Sequence, residues 1–154
     1  MASLRIGFIG AGAINFGGAE GPWDHATRLE KMTGLQFVGI ADPLTEKAEE
    51  VLAVRKASPA GSLYAECRVY PTTAAMLEEA RPDAVLVGTP PHVRGELQSG
   101  KDLELCLVKA GVHAFVEKPL SAALPEEFNK YVSAMQQAQD ENKQIVISVG
   151  YMFR

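Results

Sequence analysis

The chain has 154 residues, 47% apolar and 22% charged, with a formal net charge of −4 at pH 7. These values are typical of a globular domain, and the negative charge disfavours nucleic acid or an anionic membrane as the main partner. The apolar runs are only strand-sized and no secretory signal opens the chain, so we expect a cytoplasmic protein without a membrane span. Cys67 and Cys106 have neither a disulfide framework nor ligand spacing. We expect reduced, structural thiols and no metal site.

Short apolar segments alternate with segments of helical periodicity along the chain. In order, the predicted elements are strand 4–9, helix 22–32, strand 35–41, helix 45–56, short strand 68–70, helix 72–80, strand 84–88, helix 97–110, strand 112–117, a helix beginning at Pro125, and strand 144–150. This alternation predicts an α/β fold in one domain over residues 1–154: a doubly wound, mostly parallel six-stranded Rossmann sheet with helices on both faces. Ligands of such sheets bind beyond the carboxyl ends of the strands.

A glycine-rich turn directly follows the first predicted strand. Gly10 would allow the tight turn, and Gly12 would let the backbone approach a pyrophosphate, which N–H groups of the next helix would hold. Asn15 replaces the third glycine of the dinucleotide fingerprint, and residues 16–21 lengthen the turn. A glycine-rich turn without a ligand is the alternative, and the insertion leaves the phosphate affinity open.

Asp42 ends the second predicted strand, thirty residues after Gly12. An acidic side chain at this place can accept hydrogen bonds from both ribose hydroxyls of adenosine and would repel the extra phosphate of NADP. Lys47 is the nearest following cation, and no arginine stands close by. We therefore predict NAD in preference to NADP. The alternative is that Asp42 only forms the turn before Pro43.

Two further loops follow strands at the same predicted edge of the sheet. The first holds Pro90 and Pro91, which would form a rigid wall beside a cofactor, and His92 or Arg94, either of which could reach a ligand. A plain loop with an exposed histidine explains His92 equally well. In the second loop, Lys118 lies between a glutamate and a proline. Its ammonium group could polarise a hydroxyl or carbonyl oxygen during hydride transfer.

Taken in order, five segments resemble the amino-terminal domain of the glucose-fructose oxidoreductase, inositol dehydrogenase and rhizopine-catabolism (Gfo/Idh/MocA) family. They are Ile6-Gly-Phe-Ile-Gly-Ala-Gly, Ile40-Ala-Asp-Pro, Val87-Gly-Thr-Pro-Pro-His, Ala110-Gly-Val-His-Ala-Phe-Val-Glu-Lys-Pro-Leu and Val149-Gly-Tyr-Met-Phe-Arg. The resemblance covers essentially the whole chain.

This resemblance implies NAD(P)-linked oxidation or reduction of a sugar, a polyol or a related alcohol or carbonyl compound. It implies that Lys118 is the lysine near substrate and nicotinamide, hence the candidate catalytic residue, and that Thr89, Pro90 and Glu117 line the nicotinamide half of the site. With the residues argued above, the predicted cofactor-binding set is Gly10, Ala11, Gly12, Ala13, Ile14, Asp42, Thr89, Pro90, Pro91, His92, Glu117 and Lys118.

Enzymes of the resembled family continue into an α/β substrate domain that supplies most substrate contacts, and this chain ends at Arg154. We therefore expect a domain that is incomplete for catalysis. It could be part of an enzyme, a short family member that senses dinucleotide or binds a protein, or one half of a site completed by a second chain. Tyr151, Met152 and Phe153 could drive self-association if they are exposed.

Overall fold

The computed structural model describes residues 3–18, 23–142 and 144–150. They form two compact units, one within residues 1–88 and the other within residues 89–154. In each unit, parallel strands alternate with helices. Across the described ranges, no helix combines the length and the apolar character needed to cross a membrane.

The first unit contains four parallel strands in the spatial order β3-β2-β1-β4. The strands are β1 (Leu4–Ile9), β2 (Leu35–Ala41), β3 (Arg68–Tyr70) and β4 (Ala84–Val87). The helices are α1 (Ala13–Phe16), α2 (His25–Leu29), α3 (Thr45–Lys56) and α4 (Thr73–Glu79), and a 3₁₀ turn spans Gly61–Tyr64. In this arrangement the carboxyl ends of β1 and β2 lie side by side, which places the glycine turn next to Asp42.

An aromatic cluster forms much of the core of this unit. Phe8 on β1, Phe37 on β2 and Tyr64 are completely buried. The ring centroids of Phe8 and Phe37 lie 5.3 Å apart, and those of Phe37 and Tyr64 lie 4.6 Å apart. Phe16 of α1 packs on Phe8 at 4.7 Å. Burying one such side chain contributes about 1.5–3 kcal/mol, so this cluster holds the residues after the glycine turn on the sheet.

The second unit contains the parallel strands β5 (His113–Glu117) and β6 (Ile147–Gly150) and the helices α5 (Leu103–Lys109) and α6 (Pro125–Glu141). A 3₁₀ turn spans Pro91–Val93. The last helix is amphipathic, and its residues Tyr131, Met135 and Ala138 pack with Leu105 and Val108 of α5 in one buried cluster.

The helix predicted over 22–32 is much shorter in the structure. α2 begins after Asp24, whose Oδ1 accepts a hydrogen bond from the Thr27 N–H at 2.7 Å, an N-cap that starts the helix later than predicted. It ends at Leu29, and Gly34 then adopts a positive φ of 76° before β2. The predicted first residue of this helix lies outside the described residues.

The helix predicted over 97–110 also starts later. Gly100 has a φ of +86°, a left-handed conformation that interrupts a right-handed helix, and α5 therefore begins only at Leu103. The predicted end is confirmed, since Gly111 follows the helix with a φ of +73°. By contrast, the bounds of β1, β2, β3 and α3 agree with the prediction.

The two cysteines are expected to differ sharply in reactivity. Cys67 is buried and burial raises its thiol pKa to about 12, whereas Cys106 is exposed. Desolvation and the carboxylate of Asp102 raise the pKa of Cys106 as well, so its thiol should react more slowly than that of a free cysteine. Because the reactive form is an accessible thiolate, the native protein should still react with Ellman's reagent at pH 8 at this one thiol, and the unfolded protein at two. Because Cys67 loses its proton more easily in the unfolded chain than in the fold, the free energy of unfolding should fall as the pH rises from about 9 towards 12. Two fast thiols in the native protein would contradict this burial.

Candidate functional site

The glycine turn leaves β1 with a backbone conformation that demands glycine. Gly10 has a φ of +93°, and its N–H donates to the carbonyl of Ala41 at the end of β2 at 2.8 Å. A side chain at Gly10 would be strained at this φ. The turn is thus held to the neighbouring strand as it bends towards α1.

Gly12 is different, because nothing in the described protein requires a glycine there. Its φ of −80° suits any residue, and a Cβ placed on it would have no atom within 4 Å. The N–H groups of Gly12, Ala13 and Ile14 have no acceptor in the part of the chain that the structure describes. The turn therefore presents open space next to three unpaired backbone donors, an arrangement suited to an anion.

Asp42 braces this turn from the end of β2. Its Oδ2 accepts the Ala11 N–H at 2.7 Å, and its Oδ1 accepts the Leu44 N–H at 2.8 Å. The second bond is the turn-forming contact considered as an alternative above. A carboxylate offers about four acceptor positions, so Asp42 can hold the turn and still accept hydrogen bonds from a ligand.

Asn15 takes the place of the third fingerprint glycine and is completely buried. Its Nδ2 donates to the carbonyls of Ile9 and Gly10, at 3.1 and 2.8 Å, and its Oδ1 has no partner among the described residues. Gly88, after β4, makes room for it, since a Cβ there would lie 2.8 Å from Asn15 Cγ. Asn15 therefore holds the turn in place through its side-chain amide.

Arg55 of α3 anchors the segment that follows the turn. Its guanidinium donates to the Phe16 carbonyl, to Asp24 Oδ1 at 3.1 Å and to Glu30 Oε1 at 2.9 Å. Glu30 also accepts the hydroxyl of buried Tyr64 at 2.7 Å. Nothing in the sequence indicated this network, because Arg55 stands among charged helix residues and its partners are up to 39 positions away. Residues 19–21 of the predicted insertion lie outside the described residues.

In the second unit, residues 89–94 form a tight loop with Pro90 and His92 exposed and Pro91 half-buried. The hydroxyl of Thr89 is buried and has no hydrogen-bond partner among the described residues. Buried polar groups are nearly always hydrogen-bonded in proteins, so this hydroxyl is an exception within the described part of the chain. Pro90 and His92 of the predicted set are thus accessible, whereas the Thr89 hydroxyl is covered.

Arg94 does not reach out to a ligand, which corrects the role considered for it from the sequence. Its side chain is 0% exposed and donates to the carbonyls of Thr89, Glu117 and Leu120 and to the carboxylate of Glu104. It thereby joins the loop after β4 to the segment after β5. The sequence offered no signal for this role, since three of the four acceptors are backbone atoms.

Lys118 directly follows β5, and its side chain is exposed. The carbonyl of the preceding Glu117 is the acceptor of the Arg94 hydrogen bond at 2.6 Å. The structure thus places Lys118 at the carboxyl end of a strand, on a segment whose backbone is held by Arg94.

Throughout the described ranges, no group of three His, Cys, Asp or Glu residues is arranged to hold a metal ion.

The family model described as the oxidoreductase family with an NAD-binding Rossmann fold matches residues 4–151. The chain belongs to this Gfo/Idh/MocA family. The resemblance inferred from the sequence motifs is therefore confirmed, and so is the class of cofactor: the family binds a nicotinamide dinucleotide.

Among curated proteins, the chain is 38% identical over 161 residues to the uncharacterized protein UNK4.17 of Schizosaccharomyces pombe. That alignment covers 98% of this chain and 38% of the relative. The chain thus spans about two fifths of the relative's length.

Solved structures of dehydrogenases share the fold. UDP-N-acetylglucosamine 3-dehydrogenase GnnA from Acidithiobacillus ferrooxidans superposes with a TM-score of 0.62 at 27% identity, over 97% of this chain and 39% of that one. WlbA dehydrogenase from Chromobacterium violaceum, solved with NADH and UDP-GlcNAcA, gives a TM-score of 0.67 at 19% identity, over 97% and 35%. The predicted parallel six-stranded Rossmann fold is therefore confirmed.

Proposed function

We propose that residues 1–154 are one dinucleotide-binding domain of an oxidoreductase that acts on a sugar, a polyol or a related alcohol or carbonyl compound. The observation that carries this proposal is the turn at Gly12, where, among the residues that the structure describes, glycine has no role and three N–H groups have no acceptor. A pyrophosphate approaching this backbone explains both features. The sugar-acting dehydrogenases among the structural neighbours support the substrate class.

The first unit would hold the adenosine diphosphate part of the cofactor. The N–H groups of Gly12, Ala13 and Ile14 would donate to the pyrophosphate, and Asp42 would accept from the adenosine ribose. Gly10, Ala11 and Asn15 would contribute by keeping the turn in place, through the hydrogen bonds described above.

We infer a preference for NAD over NADP from the charge of Asp42. A carboxylate that accepts from the ribose hydroxyls repels a 2′-phosphate in the same position. Both its oxygens are held by backbone N–H groups, so this negative charge has a fixed position. Lys47, the nearest following cation, is exposed on α3.

Replacing Asp42 by asparagine is expected to lower the ratio of NADPH to NADH dissociation constants by about tenfold, or 1.4 kcal/mol. Asparagine keeps an oxygen for the Leu44 N–H and removes the repulsion of the 2′-phosphate. Calorimetric titration of the chain with both dinucleotides measures the ratio. Asp140→Asn on α6, where the aspartate is exposed, makes the same change in net charge and should leave the ratio unaltered. An unchanged ratio in Asp42→Asn would remove Asp42 from cofactor selection.

The second unit would serve the reacting end of the site. Thr89, Pro90, Pro91, His92 and Glu117 would line the nicotinamide half, and a bound nicotinamide would supply or accept the hydride. Lys118, exposed at the end of β5, would donate a hydrogen bond to the substrate oxygen and hold the proton that this oxygen gains or loses. Its role is thus to stabilise charge at one atom.

Measuring both substrate turnover and dinucleotide binding distinguishes an enzyme from a protein that only senses dinucleotide or binds a partner. The protein encoded by the complete gene should reduce NAD with at least one member of a sugar and polyol panel. NADH binding without turnover on any substrate would favour the sensing or interaction role.

Two further expectations stay predictions. The first is a cytoplasmic location, which cell fractionation tests. The second is self-association through residues 151–153, which lie outside the described residues; sedimentation measurements test it.

A further inference from the structure

Arg94 holds the backbone on both sides of Lys118. Its Nη2 donates to the Glu117 carbonyl at 2.6 Å, and its Nη1 donates to the Leu120 carbonyl at 2.8 Å. Its Nε donates to the Thr89 carbonyl at 2.9 Å. These three carbonyls are all acceptors and cannot bond to one another, so the planar guanidinium supplies the donors that this irregular segment needs.

The positive charge of Arg94 is compensated within the same unit. Glu104 of α5 is also 0% exposed, and its Oε1 accepts from Arg94 Nη1 at 3.1 Å. The other oxygen, Oε2, accepts the Tyr131 hydroxyl at 2.6 Å. Burial, and then the carboxylate of Glu104, raise the pKa of Tyr131, which keeps this hydroxyl a donor. A buried ion pair is weak evidence for stability by itself, because apolar residues can often replace it without loss.

Gly95, the residue after Arg94, packs closely against Leu120 and Ser121, which follow Lys118 along the chain. A Cβ placed on Gly95 would lie 2.3 Å from the Leu120 carbonyl oxygen and 2.8 Å from Ser121 Cβ. Arg94 and Gly95 therefore bring the chain into direct contact with the residues that follow Lys118. Two independent features, a set of hydrogen bonds and a close backbone approach, converge on this short stretch.

We propose that Arg94 is a positioning residue that fixes the backbone around Lys118 so that the exposed ammonium group meets the reacting oxygen of the substrate. The inference rests on the proposed function of Lys118. It assigns to Arg94 no contact with substrate or cofactor. A displacement of about 1 Å in a reacting group can reduce a rate about 100-fold, so the loss of this support should appear in kcat.

The test compares three variants of the protein encoded by the complete gene. Glu104→Gln keeps Arg94 and its bonds to the Glu117 and Leu120 carbonyls. Arg94→Met combined with Glu104→Gln removes those bonds without leaving an unpaired buried carboxylate. Arg94→Lys keeps a positive charge next to Glu104 but lacks the planar guanidinium whose N–H groups reach several carbonyls at once. It provides the test if the double variant does not fold. Each variant is assayed well below its unfolding temperature.

We expect Glu104→Gln to retain kcat within about threefold, whereas the double variant and Arg94→Lys lose at least tenfold in kcat, with the KM for NAD within twofold. If Arg94 had a purely structural role, all three variants would have a lower unfolding temperature, but kcat would not fall selectively in the double variant and Arg94→Lys. A folded double variant or Arg94→Lys with the kcat of Glu104→Gln would overturn the proposal.

A failure of the proposed catalytic role of Lys118 can be distinguished from a failure of the positioning role of Arg94. If Lys118→Met retains turnover, or if the unaltered protein has none, the catalytic role of Lys118 fails whatever the Arg94 variants do. The effect of Arg94 on the segment is then measured by NMR of the Lys118 backbone amide, which should shift and broaden in Arg94→Lys but not in Glu104→Gln. An unchanged Lys118 amide in Arg94→Lys would also overturn the positioning role.

Discussion

Replacing Gly12 by valine is expected to weaken NADH binding at least about 100-fold, or 2.7 kcal/mol, while the fold remains. The added side chain would occupy the space beside the Gly12, Ala13 and Ile14 N–H groups, where the pyrophosphate is proposed to bind. Since a Cβ at this position meets no described atom within 4 Å and the φ is −80°, the free energy of unfolding should fall by about 1 kcal/mol or less.

Gly10→Val is the matched comparison, because the same side chain is added two residues earlier. There φ is +93°, so valine should lower the free energy of unfolding by about 1–3 kcal/mol through backbone strain. Calorimetric titration and chemical denaturation of both variants measure the two effects. If Gly12→Val binds NADH as the unaltered chain does, the glycine at position 12 serves no ligand.

Replacing Lys118 by methionine is expected to lower kcat by about 10²–10⁴-fold in the protein encoded by the complete gene, with the dissociation constant of NADH within about threefold. Methionine has a similar length but carries no proton and no charge. Because Lys118 is exposed, the variant should keep its unfolding temperature. Steady-state rates on the best substrate of the sugar and polyol panel provide the measurement.

Lys109→Met at the end of α5 is the control for this change, since Lys109 is also an exposed lysine. It should retain the kcat of the unaltered protein. Equal rates in the Lys118 and Lys109 variants would show that the ammonium group of Lys118 has no part in the reaction.

The sequence was most informative where a short segment determines its own structure. The apolar runs of β1 and β2 predicted the bounds of these strands, because parallel strands in a sheet covered on both faces are mostly apolar and both strands are buried over their carboxyl-terminal halves. The two helices predicted too long show the limit of periodicity. Asp24 and Gly100 interrupt them through a cap and a positive φ, and these local effects outweigh the apolar pattern on either side.

The supports of the candidate site could not be predicted in the same way. Asn15, Arg55 and Arg94 all donate to backbone carbonyls that are distant along the chain or lie around a turn. A carbonyl is present at every residue, so the sequence does not indicate which one a side chain will bind. Asn15 looked like a defect in the glycine fingerprint, yet its amide holds the Gly10 carbonyl at 2.8 Å.

The most direct test of the proposed anion site is a titration of the ¹⁵N-labelled chain with ADP-ribose, which contains the adenosine diphosphate part of the cofactor without nicotinamide. We expect the amide signals of Gly12, Ala13 and Ile14 to shift most and to saturate below about 1 mM, within the range of specific affinities. Saturation that leaves these three amides unmoved, or no saturation at several times about 1 mM, would contradict the proposed anion site.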